Sequence, residues 1–403
     1  MRDAARDAAG LAASGWEGGS AIGGSTNGGS ANGAADDDER NAVSIKGDSH
    51  AARGHGRRLL AVDVGAGTTD ILVWQEGRRP ENSEKLVTPS GTVVVGRRIE
   101  EATQRRSRVV FSGPTMGGGA CTFAARRHLA AGCDFLATEQ AAYSFADDLR
   151  KVSGWGVHLV GEDEAQAAVR AGAQEVRSGD VDAAALLDAL QRLGIDVGFS
   201  AVAVAAQDHG FNPQGSNRVF RFETWRRAIA AALPLASLFY AGDSIPAELT
   251  RLRAAAGCFA GLDAPILAAD TGPAALLGVA PDDGGNAALV NVGNGHTVFA
   301  VAVGGRLTGV LEHHTGSLDA AKLQGLLRRF LAGEVREAEV REDGGHGALL
   351  HGPVPAVLPI FVTGPNRDLL SGSDLSLIFP APFGDMMMAG PVGLLRAFLA
   401  RSA

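Results

Sequence analysis

The run LAVDVGAGTTDILV, residues 60–73, decides how the chain folds. Its two apolar arms, residues 59–64 and 71–74, are rich in β-branched residues and flank a short glycine turn, the signature of a β-hairpin. Glycine at 65 and 67 permits positive φ and leaves no Cβ in the way of a bound group. Successive backbone N–H groups in such a turn form an anion-binding concavity, to which Thr68 and Thr69 add hydroxyl donors. Asp63 ends the first arm and is placed to hold hydrated Mg²⁺, an ion that takes one or two carboxylates together with phosphate oxygens. An ordinary hairpin whose Asp63 caps its own loop has the same pattern, so this stretch alone leaves both readings open.

A second run, LVNVGNGHTVFAV at residues 289–301, has the same strand, turn and strand. Gly293 and Gly295 repeat the spacing of Gly65 and Gly67, with Asn294, His296 and Thr297 in the turn. Asn291 stands where Asp63 stands in the first, which spares bound phosphates a second negative charge and suits one metal site. Two such turns, one per lobe, are suited to grip a triphosphate from both sides. Upstream of the second run, Asp270 follows a short apolar stretch and precedes Pro273 at a helix start, where N–H groups fix a carboxylate. The strand-like run AVAVAA ends in Gln207, Asp208, His209 and Gly210, at the carboxyl end where α/β sheets bind ligands. Residues 109–131 read as strand, glycine loop and helix, exposing backbone donors at Gly117 and Gly118 for a substrate anion. Close packing of a helix on a sheet explains the same glycines equally well.

DVGAGTTD resembles the first phosphate motif of the actin, sugar kinase and Hsp70 ATPase superfamily. The resemblance implies a two-lobed α/β fold, ribonuclease-H-like as in the actin-like ATPases, with mixed sheets flanked by helices. It implies ATP and Mg²⁺ as cofactors. Residues 269–277, ADTGPAALL, are similar to the segment that carries the general base of carbohydrate kinases, which would be Asp270; Ala269 replaces its glycine. Gln207-Asp208-His209-Gly210 is similar to their substrate-facing Gln-x-His-Gly, with Asp208 in place of the usual apolar residue. The turn at Thr363 and Gly364 resembles the adenosine motif, in which Pro365 replaces the common second glycine. On this reading Gly65, Gly67, Thr68, Thr69, Gly293, Asn294, Gly295, Thr297 and Gly364 bind nucleotide, and Asp63 binds the metal. Gln207, Asp208, His209, Gly117 and Gly118 face the substrate. The motifs MGGGACT, NVGNGHT and EHHTG together look closer to a microbial family whose members carry the label of pyruvate formate-lyase activating proteins. A radical-generating activator needs three clustered cysteines for an iron–sulfur cluster.

The 403 residues exceed one ordinary core and favour two domains. The expected division is a tail at 1–56, an N-terminal lobe at 57–265 and a C-terminal lobe at 266–403. The tail is rich in Gly, Ser and Asp, with almost nothing to bury, and is expected to be disordered. A net charge of -8 argues against a nucleic-acid partner. No apolar stretch is long enough to span a bilayer, so a cytoplasmic protein is expected. The three cysteines, Cys121, Cys133 and Cys258, are isolated and indicate neither disulfides nor a zinc finger. Glu312, His313 and His314 suggest a metal cluster, yet neighbours on a strand point to opposite faces, so they read as a cleft wall or surface turn. The expected activity is ATP-dependent phosphoryl transfer to a small hydroxylated metabolite. The alternative is an ATP-binding or hydrolysing switch that acts on a partner enzyme.

Overall fold

Strands β1 (Arg58–Val64) and β2 (Thr68–Gln75) are buried along almost their whole length. Such runs are stable only inside a sheet covered on both faces. The computed structural model describes residues 56–402 apart from residue 216. The tail expected at 1–56 therefore lies, but for Gly56, outside the described residues. The other strands are β3 (Glu84–Pro89), β4 (Val109–Ser112), β5 (Phe135–Thr138), β6 (His158–Val160), β7 (Gln174–Arg177), β8 (Ala201–Ala206), β9 (Phe239–Ala241) and β10 (Ile266–Ala269). After them come β11 (Ala287–Val292), β12 (His296–Val303), β13 (Arg306–His314), β14 (Gly347–Leu350), β15 (Ile360–Thr363) and β16 (Leu377–Ile378).

The first sheet runs β3-β2-β1-β8-β10-β9 and the second β14-β13-β12-β11-β15-β16. In each, an antiparallel hairpin (β1 with β2, β11 with β12) has a third antiparallel strand on its outer side. On its inner side each hairpin meets a parallel strand, β8 or β15. A further parallel strand follows, β10 or β16. The arrangement is duplicated, as the two-lobed ribonuclease-H-like, actin-like architecture requires. Between β3 and β8 the chain inserts a small all-parallel sheet, β6-β5-β4-β7, with helices packed on it.

Side chains alternate faces along β1. Leu59 and Ala61 share a core with the C-terminal helix Ala389–Ser402, whereas Leu60, Val62 and Val64 pack on the opposite face. Asp63 continues the first of these faces toward the end of the strand. The last helix crosses the helix Thr271–Val279 at glycines. A Cβ on Gly278 would overlap the Ala389 carbonyl, and one on Gly393 the Ala274 carbonyl.

The expected lobe boundary at 265 changes: β10 is hydrogen-bonded to β8, so the first sheet continues beyond that residue. The β-branched run 92–95 lies in the helix Gly91–Gln104, where Val95, Ile99 and Ala102 are buried at helical spacing. Period 3.6 outweighs β propensity there. β15 begins at Ile360, Val357 being 90% exposed, and the segment after Gly364 forms the short 3-10 turn Arg367–Leu370. No helix among the described residues is long and apolar enough to cross a membrane.

Candidate functional site

Each hairpin turn is closed by one backbone bond: Gly65 N–H donates to the Thr68 carbonyl at 2.8 Å, and Gly293 N–H to the His296 carbonyl at 3.0 Å. None of Gly65, Gly67, Gly293 or Gly295 takes a left-handed φ. Gly293 needs glycine for room instead, because a Cβ there would lie 2.8 Å from the His296 carbonyl. A Cβ on Gly67 would lie 2.8 Å from Asn294 Nδ2, and one on Gly295 in ordinary contact, 3.5 Å from Ala66 Cβ. The two turns meet tip to tip. Beside the meeting point is a cavity of about 460 Å³ between the lobes, lined by Asp63, Gly65, Thr68 and Asp70 from the first hairpin and Asn291, Gly293 and Asn294 from the second. Thr363, Gly364 and Pro365 close its far side. Gly364 has φ +99° and sits against the Val292 carbonyl, so it is glycine on two counts. Asn366 fixes this turn by donating to the carbonyls of Val292 and Gly293, both at 3.0 Å.

At the base of the cavity lie two carboxylates. The β1–β2 register sets Asp63 directly opposite Asp70, on one face of the sheet. Each is 7% exposed, and Oδ1 of each is buried without a hydrogen-bond partner. Burial, with the neighbouring Asp70, pushes the Asp63 carboxyl up to about 8 although the Thr271 hydroxyl donates to it. Burial likewise pushes Asp70 up to about 7, against a bond from Thr68. Two desolvated acids with orphaned oxygens fit a divalent cation. Gly390, at the start of the last helix, is also required here, because a Cβ would overlap the Asp63 carboxylate.

Asp270 caps the helix Thr271–Val279, accepting from Gly272 N–H at 2.9 Å. Its oxygens also accept from Arg221, Nη1 at 2.6 Å and Nη2 at 3.0 Å, and from Asp208 N–H at 2.8 Å. Arg221 is buried and turns its Nε to both oxygens of Glu312, at 2.7 and 2.9 Å. Burial opposes the Arg221 charge, but Asp270 and Glu312 outweigh it and hold the guanidinium protonated. Asp208 accepts from Gly210 and Leu252 N–H groups, while the Gln207 backbone carbonyl accepts from Arg251 and its side-chain Nε2 donates to Glu312. Asp208, His209, Arg221 and Asp270 line a second cavity of about 440 Å³, walled by Trp225, Leu238 and Tyr240.

Other expected site residues are structural. Thr297 is fully buried and shares a hydrogen bond with Thr315 at 3.0 Å. Thr69 is buried, one residue out of phase with Thr68 and Asp70. Gly117 N–H donates to Asp180, and a Cβ on Gly118 would lie 2.6 Å from the Ser144 carbonyl; neither glycine lines either cavity. Their loop is the close-packed alternative. Arg218 donates to the Gly344 carbonyl, and Arg226 to Glu223 and Glu337.

Residues 116–369 match the family model described as "Putative pyruvate format-lyase activating enzyme (DUF1786)". The chain belongs to this family. None of the curated proteins matches. Among solved structures the chain is similar to the ethanolamine utilization protein EutJ from Carboxydothermus hydrogenoformans, at 12% identity and a TM-score of 0.27, with 83% of this chain and 88% of that one covered. It is also similar to the Aquifex aeolicus member of the Ppx/GppA family, at 13% identity, a TM-score of 0.22 and coverage of 76% and 66%. Within this DUF1786 chain the cysteines do not form the donor set of an iron–sulfur cluster. Cys121 belongs to the core of the inserted sheet, whereas Cys258 packs against that of the first lobe, and burial pushes the Cys121 thiol up to about 11.

Proposed function

We propose that the chain binds a magnesium nucleoside triphosphate between its lobes and hydrolyses it as a switch acting on a partner enzyme. The observation that carries this reading is the meeting of two glycine turns beside Asp63 and Asp70, whose orphaned oxygens want a cation. Asp63 and Asp70 would hold Mg²⁺, which neutralises phosphate charge when bound. The turns would offer backbone N–H groups to the phosphates, and Gly364 would let the backbone pass close to the nucleoside. The switch is favoured by Arg221, which ties Asp270 at the end of the first sheet to Glu312 of the second. A general base needs a free lone pair directed at its proton, and the Asp270 oxygens are already engaged.

A second reading, phosphoryl transfer to a small hydroxylated metabolite, draws on the cavity beside Asp270. There Asp270 would accept the hydroxyl proton, with Gln207, Asp208 and His209 around the acceptor. ADP release by the full chain, with and without a metabolite library, separates the two. The switch predicts slow release that ignores the library and survives Asp270→Asn. Transfer predicts release that depends on one acceptor and is lost in Asp270→Asn with ATP affinity kept. Absence of both nucleotide binding and ADP release would sink both readings.

A further inference from the structure

Four histidines from separate parts of the chain converge. His209 follows β8, His296 opens β12, His314 ends β13 and His346 precedes β14. The β12–β13 register pairs His296 with His314. Ring centroids in the group lie 4.6 to 5.4 Å apart. His209 and His346 stack, and the other pairs meet tilted or edge-on. Nε2 of His296 and both ring nitrogens of His346 are buried without a hydrogen-bond partner, and His346 is 1% exposed. A buried polar atom left without a partner is costly, so three in one spot call for a ligand.

The donor set indicates which. One ring nitrogen from each of His209, His296 and His346 lies within 4.8 Å of the others. Burial disfavours the charged form of all three rings. Neutral imidazole is the form that ligates metal. The buried Glu312 carboxylate supplies a nearby negative charge, with Arg221 as its partner. His313 takes no part: its ring bonds to Asp343 at 2.9 Å and to the His314 carbonyl.

We propose that His209, His296 and His346 form a site for one divalent transition-metal ion, Zn²⁺ being the type, with a remaining position open to water or a ligand. Three histidines with a free coordination position is the donor set of catalytic rather than structural zinc. Bonds of about 2.0–2.1 Å require the three ring nitrogens to close on the ion. The site is separate from the Asp63–Asp70 pair, whose oxygen donors suit Mg²⁺ instead. It does not depend on nucleotide binding.

The test is a Co²⁺ titration of chelator-stripped full-length chain in excess Mg²⁺, followed by the visible d–d bands, then displacement by Zn²⁺. One equivalent should saturate the bands, and Zn²⁺ should abolish them. His346→Ala and His296→Ala should weaken binding by more than the roughly 10–100-fold typical of second-shell changes, while His313→Gln should retain it. Circular dichroism establishes that each variant is folded. Should His346→Ala fail to fold, His209→Ala at the more accessible corner decides with the same expected loss. Absence of a one-equivalent signal, or bands that survive removal of the histidines, would overturn the site.

Discussion

Asp63 is where the chemistry of the cleft becomes measurable. Asp63 and Asp70 bind protons more tightly when folded than their ordinary value of 3.8, so the folded cation-free chain carries more protons than the unfolded one. Stability should therefore fall as pH rises from about 4 to about 8, by up to about 1.4 kcal/mol per pH unit per proton, and level off above. A divalent cation displaces those protons, so its apparent affinity should rise about tenfold per pH unit per proton released over the same window. Thermal unfolding with and without Mg²⁺ should show a larger shift at about pH 8 than at about pH 6; a larger shift at the lower pH contradicts the assignment. Asp63→Asn should raise the melting temperature of the cation-free chain at about pH 8 and remove its Mg²⁺ response. Asp63 was legible from the sequence, and so in principle was Asp70: a two-residue turn centred between Ala66 and Gly67 pairs 63 with 70. The histidine cluster was not, because its members are joined by strand pairing between positions far apart in sequence. On β13, residues two apart share a face, so Glu312 and His314 share the side of the cluster while His313, itself fully buried, lies on the opposite face.

At the scale of elements, the position of Asp63 depends on a helix crossing without side chains between the backbones. Gly278 and Gly393 bring the helices Thr271–Val279 and Ala389–Ser402 into backbone contact, and this carries Gly390 to the Asp63 carboxylate. Gly278→Ala would force the helices apart. A loss of about 3 kcal/mol, the upper part of the ordinary overpacking range, is expected in urea unfolding, together with a weakened Mg²⁺ response. Unchanged stability would mean the crossing is looser than described. Strands β1, β2, β8, β11 and β12 could be read from their apolar runs, because burial on both faces leaves an uninterrupted signal. The first turn of the helix Gly91–Gln104 could not, since it is Gly-Thr-Val-Val and local propensity points the other way until Ile99 and Ala102 complete the stripe.

Over the whole molecule, the lobes are tied through the buried Arg221, which pairs with the buried Glu312 and the half-buried Asp270. Arg221→Met would leave both carboxylates without it, at a cost of about 3–5 kcal/mol. The same change should decouple the lobes, so that nucleotide no longer protects the second sheet from hydrogen exchange; protection retained would show that the tie does not carry the signal. The duplicated architecture was legible because the glycine hairpin appears twice with the same spacing. The place where the first lobe's sheet ends was not, since β10 joins that sheet only through its pairing with β8. The central claim is that the interlobe cleft is a magnesium-nucleotide site. Isothermal titration of MgATP into the full-length folded chain tests it most directly. One saturable event per chain, lost when Mg²⁺ is chelated and when Asp63 is replaced by Asn, is the predicted result; no heat at any attainable concentration, or binding indifferent to both Mg²⁺ and Asp63, would contradict it.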